Sequence, residues 1–213
     1  MSALPRALRY PALLMLCLVL VTCMSAVSFD QATLRVTPSK LADSDSAQFQ
    51  PQLISASGSV RVRYQGPRKF FQVSTLVWKD RQWQVSAGAT GPASVPLERQ
   101  VSVILHDTSI TSGDTQYKGI VADRAADQLR TIPFAISKVD APAAQGKPLE
   151  LRSVVEVPDD EPVTIWGYAV YGDSPPPATD GPIEQRAEQA AYAVIVIVRM
   201  VDHMEAGNQL VSR

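Results

Sequence analysis

Ten residues, SGSVRVRYQG, restrict the possible fold of this chain more than any others. Val60, Val62 and Tyr64 fall on one side of an extended backbone, and Arg61, Arg63 and Gln65 on the other. A period of two marks a strand with one face in an apolar interior and the other in water. Gly66-Pro67 closes it. The same grammar recurs downstream. KFFQVSTLVW and QWQVSAG flank Lys79-Asp80-Arg81 and read as a hairpin. QVSVILHDTSI alternates Val101, Val103 and Leu105. TQYKGIVADR, LRTIPFAI, LELRSVVEV and PVTIWGYAVYG follow as further strands, with Trp166 expected in the core. Short strands at this spacing, separated by Gly, Pro and Asp turns, predict an all-β chain: an antiparallel β-sandwich or small barrel.

The ends of the chain read differently. SPPPATDGP, residues 174–182, cannot be a helix or a central strand and is expected as a Pro-rich linker. IEQRAEQAA then favours a helix, whereas YAVIVIVRMV is β-branched throughout. The expectation for 183–213 is a short C-terminal helix feeding a buried final strand over 192–201 that completes the domain. One continuous helix is the alternative. Residues 31–52 are polar and Ser/Ala/Asp-containing, and 23–52 is expected as a flexible tether before a sandwich domain at 53–173.

Residues 1–22 read as a signal peptide or membrane anchor. Arg6 and Arg9 precede an apolar run over 11–22, and no acidic residue appears before Asp30. The run is short for a spanning helix, which needs about 20 apolar residues, and suits an export signal. Extended through Phe29, it is long enough for an uncleaved anchor. Either reading exports the remainder, because the basic residues stay inside. Leaving out Arg6 and Arg9 from the 20 Lys and Arg gives 18, against 21 Asp and Glu, so the exported part is slightly acidic. That balance provides no footprint for nucleic acid. The chain's two cysteines, Cys17 and Cys23, both lie in the apolar segment, so the fold needs no disulfide. Leu20-Val21-Thr22-Cys23 resembles a bacterial lipobox, with Thr22 where a smaller residue is usual. Cys23 is therefore the candidate lipidation site. Cleavage after Cys23 or Ala26, or no cleavage, are the alternatives.

Catalytic chemistry needs convergent groups, and the sequence offers few. His106 beside Asp107 can be sketched as a base with its orienting acid, but reads better as a histidine at a strand end. His203 stands alone. Two histidines without a mature cysteine do not make a typical zinc site. DSDS, residues 43–46, lacks the glycine and glutamate of a calcium loop, and PDDEP, residues 158–162, reads as a turn. No nucleophile elbow or phosphate loop is present. No catalytic residue, metal or cofactor is assigned.

VPLERQVSVILHDTSI, GIVADR, IPFAI and LELRSVVEV carry a likeness beyond these patterns. Over 95–170 the chain resembles the YbaY/YscW-like lipoproteins, a family that includes the type III secretion lipoprotein chaperones, or pilotins. The matching residues are Val101, Val103, Leu105, Asp107 and Ser109, then Ile132, Pro133 and Phe134. The resemblance implies a lipid-anchored β-sandwich in the bacterial cell envelope, on the periplasmic side of the outer membrane, an address that Met24 after Cys23 favours. It implies a chaperone role in protein secretion, with an outer-membrane secretin or other envelope protein as partner. A partner peptide would dock on a groove or an open sheet edge. The Trp78 and Trp83 hairpin and the Phe70-Phe71 pair are the candidate docking residues. The alternatives are a structural periplasmic domain on an uncleaved inner-membrane anchor, and a periplasmic enzyme whose site the sequence does not announce.

Overall fold

The structure is a computed structural model that describes residues 32–41, 54–94, 96–107, 116–125, 128–137, 146–171 and 181–204. The segment read as a signal or anchor, Cys23, the DSDS stretch and residues 174–180 of the expected Pro-rich linker lie outside the described residues. The described strands are β1 (Thr33–Ser39), β2 (Ile54–Gln65), β3 (Phe70–Lys79), β4 (Gln82–Pro92), β5 (Leu97–Asp107) and β6 (Gln116–Ala125). They continue as β7 (Gln128–Ser137), β8 (Lys147–Glu150), β9 (Val155–Pro158), β10 (Val163–Val170) and β11 (Tyr192–Val201), with one short helix, α1 (Ile183–Glu188), before β11. Two sheets form, ordered β7-β6-β5-β2-β1-β9 and β4-β3-β11-β10-β8. Each neighbouring pair is antiparallel. The sheets pack face to face with open edges, so the fold is a sandwich and not a closed barrel.

Alternation sets which side chains meet. In β2, Val60, Val62 and Tyr64 are buried while Arg61, Arg63 and Gln65 are exposed. Val101, Val103 and Leu105 of β5 join them, and Phe71, Val73, Trp166, Val194, Val196 and Val198 face them from the second sheet. Each fully buried aliphatic or aromatic side chain contributes roughly 1.5–3 kcal/mol, so this layer is the main source of stability. Trp166 is 1% exposed. Its indole lies against Gly58 of the opposite sheet, where an added Cβ would overlap the ring. Gly58 is the cavity in β2 that lets the largest core side chain in.

The two described parts of the 183–213 segment, α1 and β11, follow their residue types. Its strand, β11, runs between β3 and β10, apolar on both faces because both are covered. Ala193, Ile195 and Ile197 form its outer face and pack with Ile183, Ala187 and Ala190 in a second apolar cluster. Six residues are too few to hold a helix by backbone bonds alone, so α1 depends on that packing.

Three features differ from the sequence expectation. First, Thr33–Ser39 lies inside the expected tether yet forms β1, paired with β2 on one side and β9 on the other. Its inward residues are Leu34 and Val36, both fully buried. Two apolar positions in a polar stretch give too little periodicity to stand out, and the partners supply the rest. Second, LELRSVVEV is not one strand. It breaks at Leu151 to Val154 into β8, paired with β10, and β9, paired with β1, so it crosses from one sheet to the other. It does not pair with the strand carrying Ile132-Pro133-Phe134, which pairs with β6. Third, Phe71 is fully buried on the inner face of β3. It is a core residue, withdrawn from any docking surface.

The β3–β4 hairpin turns on two residues. Lys79 pairs with Gln82, leaving Asp80 and Arg81 at φ of 54° and 60°. Both signs are those of a type I′ turn, whose twist matches the strands it joins. Neither residue is glycine, so the turn carries some left-handed strain.

Candidate binding site

One opening lies where α1, the start of β10 and the β8–β9 crossover meet. It is a cavity of about 550 Å³. Leu151, Val155, Val157, Val163 and Ile183 supply apolar walls. Arg186 lines it too, and is only 7% exposed. Its position follows from helix geometry. Ile183, Arg186 and Ala187 stand at i, i+3 and i+4, the stripe that α1 turns toward the sheet.

The surroundings of Arg186 are poor in partners. Its Nη2 donates to the Glu150 carbonyl at 3.4 Å, a long contact. Its Nε is buried without a hydrogen-bond acceptor. Among the described residues no carboxylate lies within ion-pair distance of it. Its backbone carbonyl accepts the Tyr171 hydroxyl at 3.3 Å. Burial raises the Tyr171 pKa, and the Arg186 charge acts against that rise.

Trp78 and Trp83 brace the other side of the helix. They are cross-strand partners with ring centroids 5.1 Å apart and planes tilted by 51°. Both are half-buried and pack on the second apolar cluster. Trp83 Nε1 donates to Glu188 Oε1 at 3.0 Å, so the hairpin holds the end of α1. Phe70 is half-buried at the start of β3, while Phe71 lies in the core with the Arg99 guanidinium 5.4 Å from its ring centroid. The four aromatic candidates therefore do not form one surface.

Arg99 belongs to a second charged cluster. Asp123 Oδ2 accepts Arg99 Nη1 and Arg130 Nη2, each at 2.8 Å, and the Asp123 side chain is fully buried. Arg99 also donates to the Pro92 carbonyl at 2.6 Å. Three neighbouring regions, β4, β5–β6 and β7, are thereby joined at one side of the sandwich. A third network ties one end. The Tyr64 hydroxyl donates to Asp159 at 3.0 Å and accepts the Arg68 backbone N–H at 2.9 Å. Arg68 pairs with Asp159 and Asp202, each at 3.1 Å. Burial, more than the carboxylate, raises the Tyr64 pKa. PDDEP supplies Asp159 and is a turn closed by the Glu161 N–H on the Pro158 carbonyl at 3.1 Å.

The histidines do not converge with these groups. His106 is half-buried in β5 and His203 is exposed beyond β11. Among the described residues no cluster of three or more His, Cys, Asp or Glu is placed to hold a metal ion. No described helix is long and apolar enough to cross a membrane. Arg186, the residue that gives the cavity its charge, escapes a reading of the sequence by propensity alone. The signal is an arginine at the centre of the apolar stripe Ile183, Ala187, Ala190.

No family model, curated protein or solved structure matches this chain.

Proposed function

We propose that this chain is a non-catalytic envelope protein. Its N-terminal segment holds it at a membrane, by lipid on Cys23, and its sandwich binds or escorts an envelope partner such as a secretin. The observation that carries this reading is the short stretch of sequence between Cys23 and the described fold. The first described strand starts at Thr33, so nine residues, 24–32, separate it from that cysteine. Nine residues span at most about 30 Å when fully extended. A sandwich on so short a connection works beside the bilayer, where a membrane-bound client is found. The lipobox-like LVTC and the resemblance to pilotins over 95–170 support the same reading.

Intact mass of the protein purified from membranes tests the anchor, beside a Cys23→Ser variant. The expected result is a mature N-terminus at Cys23 carrying acyl mass, lost in the variant. Full-length mass would instead give a structural domain on an uncleaved anchor. A cleaved, unacylated mass would remove the membrane from the mechanism. Co-purification of an outer-membrane secretin with wild type and not with Cys23→Ser tests the escort role.

A further inference from the structure

The cavity beside α1 is lined by a buried guanidinium, Arg186, with no carboxylate at ion-pair distance among the described residues. Taking a guanidinium out of water is costly unless it is paired and hydrogen-bonded. Arg186 meets one carbonyl at 3.4 Å and leaves Nε without an acceptor. The side chains of Leu151, Val155, Val157, Val163 and Ile183, which share the cavity lining with it, offer no hydrogen-bond acceptor. A Met or Leu at 186 would satisfy the helix stripe equally well, so the charge is not explained by packing.

Three properties define what would complete the site. The guanidinium fork matches a carboxylate or phosphate edge. The volume, about 550 Å³, falls within the roughly 300–1,000 Å³ of small-molecule pockets. The remaining charged lining residues are Glu150, Arg152 and Glu184, of which Glu150 and Arg152 are exposed and Glu184 half-buried. Water screens those groups, and with Arg186 the lining holds two cations and two carboxylates, so it lacks the excess positive charge that a dianion needs and a monoanion is favoured. We infer that this cavity binds a small monocarboxylate with an apolar body, its carboxylate on Arg186 and its body against the valines of β9 and β10. This inference does not depend on lipidation or on a secretin partner.

Titration calorimetry with octanoate tests it, using octan-1-ol, octylamine and octyl phosphate as comparison probes. Octanoate is expected to bind at least tenfold more tightly than each of the others. Arg186→Met is expected to lower octanoate affinity at least tenfold, the loss of one charge-assisted contact, without lowering the unfolding temperature. Should Arg186→Met not fold, Ser153→Trp serves. Ser153 is exposed at the lining, and a tryptophan there fills the mouth and is expected to reduce octanoate binding tenfold. No octanoate binding to wild type, equal binding of the alcohol, or full binding by Arg186→Met overturns the inference. Tighter binding of octyl phosphate overturns the choice of carboxylate.

Discussion

Asp123→Ala isolates a buried, doubly bonded polar contact of the interior. The Asp123 side chain is fully buried, and one oxygen accepts from both Arg99 and Arg130 at 2.8 Å. Each charge-assisted bond is worth about 1.5–3 kcal/mol net. Adding two of them overstates the loss, because the arginines differ in access to water. Arg130 is 34% exposed and rehydrates when freed; Arg99 is 11% exposed and does not. The dominant cost is therefore one stranded guanidinium, about 3–5 kcal/mol for breaking a buried pair. For a unit of this size that corresponds to about 6–20 °C in Tm. Urea unfolding followed by circular dichroism measures it directly. Arg130→Met should cost about 1 kcal/mol or less, since the Asp123–Arg99 pair survives. Asp123→Ala combined with Arg99→Met should regain much of the loss, because an apolar pair replaces an ionic one at little or no cost. A single Asp123→Ala variant within about 0.5 kcal/mol of wild type, or a double variant no better than the single, would refute the reasoning.

Three further outcomes are expected. Gly58→Ala should destabilise by roughly 1–3 kcal/mol and perturb the near-ultraviolet tryptophan signal, because the new Cβ overlaps the Trp166 indole, which is too buried to move aside; an unchanged Tm would show that the sheets separate freely there. Arg81→Gly should stabilise by about 0.5–1 kcal/mol in urea unfolding, since it relieves a left-handed non-glycine residue at φ 60° and gains more than the added unfolded-chain entropy costs. Tyr64, Tyr171 and Tyr192 all have raised pKa values, each chiefly through burial, so the neutral folded form binds its proton longer than the unfolded chain does. Their contribution is intact below the ordinary tyrosine value of 10.0 and is lost as pH climbs above it. Alkaline unfolding should coincide with phenolate absorbance, and Tyr192→Phe should weaken the pH dependence; ordinary titration of all tyrosines in the folded protein would contradict the burial.

What could be read in advance was the part of the fold governed by local period. Val60, Val62 and Tyr64 announce β2 because three side chains on one face have a single interior to enter. The run from Tyr192 to Val201 announces a covered strand because β-branched residues occupy both faces. The β1 strand was illegible for the opposite reason: Leu34 and Val36 signal little until β2 and β9 flank them. Leu149, Leu151, Val155 and Val157 keep one parity throughout, so nothing local shows that the chain changes sheets between them. The charged clusters were legible in part. Arg99 interrupts the inward positions Leu97, Val101 and Val103, as Arg186 interrupts Ile183, Ala187 and Ala190. Each is a charge at a position that period assigns to the interior. Which groups they meet depends on long-range pairing that no local pattern specifies.

The place of β1 has a mechanical consequence. The strand lies between β2 and β9 rather than at an edge, and it is the first described element after the N-terminal segment. If the chain is anchored at Cys23 as proposed, tension on that anchor would enter the sandwich at Thr33, along the axis of that strand. The antiparallel bonds on both its flanks lie across that direction, so they would be sheared together instead of being peeled one after another. The sheet would resist a pull from its own leash at the point where the pull arrives.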